Sequence, residues 1–326
     1  MSEKQARKLS WLIIAASVAA LAWMNWQRHA GGGVFPSRPV TLICPYAPGG
    51  GTDLLCRVLA HEAERRLGQP VLVNNVTGGG GAVGFAAGQL APPDGYTLLM
   101  TTFELVSLPV QGLAPFTFTD FDLLMLLNMD PAALAVRADS PSATLKAFVA
   151  AARGGQAPRV GNSGSGAVWH LAAAVFSERT GAPITHVPFT GSSPAITALI
   201  GGHVDAVIAS PSELKTYVES GQLRVLGVMS PSRLPGAPDT PTCREQGFDL
   251  TFGTWRGLAL PKGVPAAARD TLRDTFRDVM TSDALSAFFA QSGMNRQLLD
   301  GEAFQAMVRE QAVDVAETMK RVGLAK

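Results

Sequence analysis

The segment Pro45-Tyr46-Ala47-Pro48-Gly49-Gly50-Gly51-Thr52-Asp53 closes an apolar, β-forming run at 40–44 and opens a helical one at 54–67. A strand that ends in glycines ahead of a helix gathers backbone N–H groups around one spot, with the positive end of the helix dipole behind them. Such a pocket suits an anion. The GK[ST] ending of a phosphate-binding loop is missing, so no lysine waits for a β- or γ-phosphate and nucleotide hydrolysis is disfavoured. What stays is a set of amides and the Thr52 hydroxyl, donors suited to a carboxylate; the plainer alternative is a tight strand–helix turn without a ligand. Asp53 carries the wrong charge to meet a carboxylate directly and is expected to order the loop or a bridging water.

Two further glycine segments carry chemistry of their own. Gly79-Gly80-Gly81-Ala82-Val83-Gly84 has the spacing of a dinucleotide fingerprint, but that fingerprint belongs to the first strand–helix turn, which here holds 48–52. No acidic ribose partner follows at the right distance either, so no nucleotide cofactor is expected. Gly161-Asn162-Ser163-Gly164-Ser165 nearly matches the nucleophile elbow G-x-S-x-G, with Ser165 in place of the second glycine and His170 shortly after. With no evident Asp to orient that histidine, Ser163 and Ser165 read as hydrogen-bond donors to a ligand carboxylate and the chain as no enzyme. A secreted serine hydrolase is the enzyme alternative. His170 is expected to be satisfied by a local hydrogen bond.

Glu104, just past Thr101-Thr102 at a strand end, reads either as a solvated carboxylate at a helix start or as a partner for a ligand amine or hydroxyl. Trp255 is expected to pack at a hinge, and Arg256 to be a surface cation or a ligand partner. Cys44, Cys56, Cys243 and five histidines show no CxxC or HExxH spacing, so no metal is expected. Buried free thiols are the favoured state of the cysteines, and a disulfide the alternative in an oxidising compartment.

These residues need a scaffold. Strand-like runs at 40–44, 71–73 and 96–100 alternate with helical spacing, the last entered through the turn Pro93-Asp94-Gly95. That rhythm predicts a parallel sheet covered by helices, with ligands outside the carboxyl ends of its strands. Runs at 123–127 and 133–136 predict a crossover, after which the rhythm restarts through 159–160, a helix at 168–179 and strands at 184–187, 206–209 and 225–229. The run 257–260 reads as the return crossover, and three helical segments close the chain. Two α/β lobes joined by two crossovers, with a cleft between them, follow from this order.

At 326 residues, with 16% charged residues, 34 glycines and 22 prolines, the chain suits a loop-rich α/β protein of two domains. Its net charge of +1 argues against nucleic acid as a partner. Lys4, Arg7 and Lys8 precede an uncharged run from Leu9 to Gln27, the pattern of an export signal. Ala20-Leu21-Ala22 offers a cleavage site, yet the run is close to the roughly 20 residues that span a bilayer, so a retained anchor with Trp23 and Trp26 at the interface stays open. Either way the body is expected outside the cytoplasmic membrane.

An ordered series of motifs then resembles a known family. Residues 40–53, Leu67-Gly68-Gln69-Pro70-Val71, Asn75 with 78–81, and Pro93-Asp94-Gly95-Tyr96-Thr97-Leu98 are followed by His186-Val187-Pro188-Phe189-Thr190-Gly191 and Gly201-Gly202-His203-Val204-Asp205. Gly221-Gln222-Leu223-Arg224, Glu245-Gln246-Gly247 and Trp255-Arg256-Gly257-Leu258 complete it. The series resembles the substrate-binding proteins of tripartite tricarboxylate transporters, the Bug receptors. The resemblance implies a two-lobed fold of the periplasmic-binding-protein type II kind, with lobe 1 at 34–130 and 250–326, lobe 2 at 131–249, and the export segment at 1–33. It implies a periplasmic receptor that closes on a small organic carboxylate and delivers it to integral membrane subunits; a ligand sensor feeding a signalling system would use the same pocket, and since nothing in the sequence demands an oligomer a monomer is expected.

Carried over residue by residue, the implied ligand-binding positions are Tyr46, Pro48, Gly49, Gly50, Gly51, Thr52 and Asp53, with Gly80, Gly81, Ala82, Thr101, Thr102 and Glu104 lining the first lobe. Ser163, Gly164, Ser165 and Gly166, with Phe189, Thr190 and Gly191, belong to the second. This chain departs from the family at Ala167, where another small polar residue is usual, and at Phe189-Thr190-Gly191, which lacks the usual cation and phenol. With the added charge of Glu104, these departures speak against a highly charged tricarboxylate such as citrate. A monocarboxylate, an aromatic acid or an amino-bearing acid fits better.

Overall fold

Alternating strand and helix signals resolve into two sheets. The computed structural model describes residues 35–155, 157–321 and 323–325; the export segment expected at 1–33 lies outside the described residues. The strands are β1 (Val40–Cys44), β2 (Val71–Asn75), β3 (Thr97–Thr102), β4 (Phe121–Pro131), β5 (Ala133–Arg137), β6 (Arg159–Asn162), β7 (Thr185–Pro188), β8 (Ala206–Ala209), β9 (Leu223–Val228), β10 (Gly253–Pro261) and β11 (Arg296–Asp300). Between them run α1 (Gly51–Leu67), α2 (Ala82–Gln89), α3 (Glu104–Val110), α4 (Leu145–Gly154), α5 (Val168–Thr180), α6 (Ser192–Ile200), α7 (Pro211–Glu219), α8 (Ala266–Met280), α9 (Asp283–Ser292) and α10 (Gly301–Arg321).

The first sheet is six-stranded in the order β11-β4-β10-β3-β1-β2, and the second five-stranded in the order β7-β6-β8-β5-β9. β1 pairs in parallel with β2 and β3, while β10 runs antiparallel to β3 and β4, opposing Arg256 to Thr102 and Gly253 to Pro131. The start of β10 and the end of β4 thus lie on the edge where β1, β2 and β3 finish. In the second sheet β6 is parallel to β7 and β8, and Ala133 opens β5 opposite both Ala209 and Val228. The carboxyl ends of both parallel sets therefore point toward the two crossovers.

The crossovers are tied to each other. Ala132 N–H donates to the Phe252 carbonyl (2.8 Å), Met229 N–H to Ala132 (2.7 Å) and Phe252 N–H to Met229 (3.0 Å). Trp255, fully buried beside Phe304 at 5.2 Å between ring centroids, packs this joint as expected, its indole N–H donating to Gln311.

Local sequence explains the elements that frame the site. Leu55, Leu59 and Ala63 recur at helical spacing and are buried, and α1 ends where Gly68 turns left-handed and its N–H reaches Glu64 (3.0 Å). Phe304, Val308, Val315 and Met319 form the buried stripe of α10. One core joins Phe85, Phe103 and Phe121 of the first lobe to Trp169 and Phe176 of α5, and a second lies among β5, β8, α6 and α7. Among the described residues no helix is long and apolar enough to cross a membrane. The edge strand β11, Arg-Gln-Leu-Leu-Asp, was not foreseen.

Candidate functional site

The first glycine loop leaves β1 at Pro45 and becomes helix earlier than its sequence suggests. Gly50 is the extended cap and α1 begins at Gly51, so Thr52 and Asp53 belong to its first turn and are buried. Residues 47–50 are exposed and form the open lip. The Asp53 carboxylate holds that lip, accepting from Gly49 N–H (2.8 Å), the Asn75 amide (2.8 Å) and both edges of Arg57 (2.9 and 3.0 Å). The Arg57 hydrogen bonds, offset in part by burial, draw Asp53 down to about 2. Asn75 also donates to the Tyr46 carbonyl (2.9 Å), which fixes the loop from its other end.

A depressed carboxylate stabilises the fold above its ordinary titration range and stops doing so as pH falls through about 2. Asp53→Ala strips the Gly49 N–H and the Asn75 amide of their acceptor. It is expected to cost about 1–3 kcal/mol, read as a lower denaturation midpoint at neutral pH that converges on wild type toward pH 2.

A second loop stacks on the first. Gly78, Gly79, Gly80 and Gly81 take φ values of 134°, 57°, 67° and 105°, a run of left-handed backbone that only glycine holds without strain. A Cβ on Gly81 would lie 3.4 Å from the Tyr46 hydroxyl, so this loop rests on Tyr46. That hydroxyl meets Thr102 Oγ1 (2.7 Å) and donates to Glu104 Oε2 (2.9 Å), which also accepts from Thr102 (2.5 Å). Burial, then the Glu104 charge, pushes the Tyr46 phenol well up, so it stays a neutral donor.

Thr101 does not join this cluster. Successive strand residues face opposite sides, and Thr101 is fully buried with its hydroxyl donating to the Gly257 carbonyl (3.0 Å). The expectation that Thr101 lines the pocket is thereby corrected, whereas the Thr102 hydroxyl meets Tyr46 and Glu104. Arg256 is neither a surface cation nor loose: its Nε donates to Thr52 Oγ1 (2.9 Å) and its Nη1 to Asp130 Oδ2 (3.1 Å). Asp130 is buried and receives Asn295 N–H (2.8 Å) and the Asn128 amide (3.0 Å). Burial raises its pKa even against the arginine.

The serine loop leaves β6 opposite. Gly164 and Gly166 adopt φ of 118° and 76°, which explains glycines alternating with Ser163 and Ser165. Gly166 N–H donates to His170 Nδ1 (3.0 Å), the local bond expected for that histidine. The His170 ring meets His186 edge to face at 4.7 Å, and burial, then His186, holds His170 down to about 4. No carboxylate is hydrogen-bonded to His170 among the described residues, so nothing there orients it as a base. Phe189 N–H donates to the Asn162 carbonyl (3.0 Å), and its ring packs within 3.3 Å of where a Gly161 Cβ would stand. Thr190 is exposed, and Gly191 precedes α6.

Three buried polar atoms have no partner among the described residues: Asn162 Nδ2, Ser163 Oγ and His186 Nδ1. Unmet buried donors are costly and rare, and two of these belong to the serine loop. Gln111, at the end of the α3 that Glu104 begins, donates across to Gly166 O (3.4 Å). This bond ties the serine loop to the helix whose first residue, Glu104, meets Thr102 and Tyr46. Sequence reasoning missed Gln111, Asn128 and Asp130, which have no motif around them. Cys44, Cys56 and Cys243 are buried free thiols, and no group of metal-ligating side chains occurs among the described residues.

Comparison with known proteins agrees with this architecture. A family model described as tripartite tricarboxylate transporter family receptor matches residues 55–324. Protein BugT of Bordetella pertussis is 30% identical over 296 residues, 89% of this chain and 90% of that one. A TctC solute binding protein from Polaromonas, solved with no ligand, is similar at a TM-score of 0.80 and 39% identity, over 88% of this chain and 99% of that one. An R. palustris protein solved with adipate has a TM-score of 0.77 and 26% identity, over 89% and 99%. The chain belongs to the tripartite tricarboxylate transporter receptor family.

Proposed function

We propose that the chain is a non-catalytic, monomeric periplasmic receptor that closes its two lobes on a small organic carboxylate and hands it to integral membrane transporter subunits. The observation that carries this reading is the pair of buried donors without a partner among the described residues, Asn162 Nδ2 and Ser163 Oγ, in a serine loop whose counterpart on the first lobe is the exposed glycine loop at 47–50. A carboxylate supplies acceptors to both sides at once, so binding favours the closed arrangement in which both loops engage. The likeness to a structure solved with adipate supports the same ligand chemistry. Thr52 takes part as a donor: its oxygen accepts from Arg256, which leaves the hydroxyl proton free.

The pocket residues of the proposal are Tyr46, 48–53, 80–82, Thr102, Glu104, 163–166 and 189–191. Charge-assisted hydrogen bonds contribute about 1.5–3 kcal/mol each. Isothermal calorimetry against a panel of mono-, di- and tricarboxylates tests the reading. Wild type is expected to bind at least one panel member, and Ser163→Ala to bind it about 10- to 150-fold more weakly. Sustained ester turnover that disappears in Ser163→Ala would replace the receptor by a hydrolase.

A further inference from the structure

Buried carboxylates in the first lobe are each matched to an arginine. Asp53 pairs with Arg57 (2.9 Å), Glu62 with Arg66 (3.1 Å) and Asp130 with Arg256 (3.1 Å). Glu104 breaks the pattern. It is half-buried, its Oε2 is occupied by the Thr102 and Tyr46 hydroxyls, and no cation lies within ion-pair distance of it among the described residues. Its Oε1 accepts no hydrogen bond there and is not sealed from solvent. The Arg256 guanidinium, on the strand position opposite Thr102, is already engaged by Asp130 and Thr52.

A carboxylate without a counter-charge is a poor fixture for a pocket that must attract a bare anion, since like charges at close range oppose binding. It is a good one when the ligand brings its own cation. The two hydroxyls pin Oε2 and so orient the group, leaving Oε1 for an outside donor. Resting on the receptor reading above, we propose that Glu104 is a specificity residue that receives the protonated amine of the ligand, so that the receptor selects amino acids over the corresponding acids lacking the amine. The carboxylate end is held by the Ala47 and Gly50 amides and by Asn162 and Ser163, and the ammonium end by Glu104 Oε1.

Matched pairs that differ only in the amine test this: aspartate against succinate, glutamate against glutarate, alanine against propionate, each titrated by calorimetry into ligand-free wild type and Glu104→Gln. For the best-binding pair, wild type is expected to prefer the amino member by at least tenfold. Glu104→Gln keeps an acceptor for Tyr46 and Thr102, and is expected to lose at least tenfold of that preference. Unchanged melting temperature in the variant separates this from a merely structural role. Wild type that favours the amine-free acid, or an equal amine preference in both proteins, overturns the assignment and leaves the carboxylate receptor standing. Failure of every acid, with or without amine, overturns both.

Discussion

Arg256→Met is expected to lower the unfolding free energy by about 3–5 kcal/mol, the cost of leaving a buried ion unpaired. The Asp130 side chain is only 4% exposed, and Asn128 and Asn295 supply dipoles but no charge. The sign with pH distinguishes this cause from lost packing. Burial already raises Asp130 in the wild type, and removing the arginine leaves burial less opposed, so the folded state holds the proton more tightly still. A raised folded pKa contributes stability that is present at low pH and is lost as pH rises through it. The deficit of Arg256→Met is therefore expected to be small near pH 4 and full at pH 7.5, measured by urea denaturation with the m-value held in view. A deficit that does not change with pH would sink this account. Arg256→Met combined with Asp130→Leu is expected to recover much of the loss, because the pair is then replaced by apolar volume.

Gly84→Ala is expected to damage binding and stability together. A methyl there would sit 2.6 Å from the Val76 carbonyl oxygen and 2.7 and 2.8 Å from Pro45 Cβ and Cα. These are backbone and ring atoms that cannot swing aside, so α2 must shift off the ends of β1 and β2. Overpacking of this kind costs about 1–3 kcal/mol. Pro45 heads the first glycine loop and Val76 the second, so the shift misplaces both. Carboxylate affinity is expected to fall at least tenfold, against Gly236→Ala as control, where nothing lies within 4 Å. Full affinity in Gly84→Ala would show that the loops do not depend on this contact. Gly84 is the last glycine of the segment that imitates a dinucleotide fingerprint; helix-on-strand closeness demands glycine in both settings.

Much of the fold was legible because short-range rules decide it. Strand–helix alternation at 40–67 and 159–180, the Gly68 stop and the stripe of α10 are all local patterns, and the two crossovers follow from where the alternation restarts. The edge strand β11 was hidden because it pairs on one side only and its Leu-Leu step does not alternate. At the candidate site, the turns made by the glycine and serine loops could be read, as could the ordering contact of Asp53 with Gly49. Thr101 and Thr102 could not be separated, since the face of a strand is fixed by register with partners, here β10, that lie far along the chain. Arg256 was ambiguous for the same reason: its partner Asp130 sits 126 positions away in sequence.

The late position of β10 has a consequence for how the molecule is made. This strand lies between β3 and β4, yet it is among the last segments of the chain to be synthesised. While the ribosome is still short of it, β5 to β9 already form a contiguous set able to complete the second sheet. The first sheet, by contrast, waits as β2-β1-β3 beside an unattached β4, each with an open hydrogen-bonding edge. Such edges invite intermolecular pairing. From the end of β4 at residue 131 to the start of β10 at residue 253 the chain carries these open edges, and that interval is where a holding chaperone has most to protect.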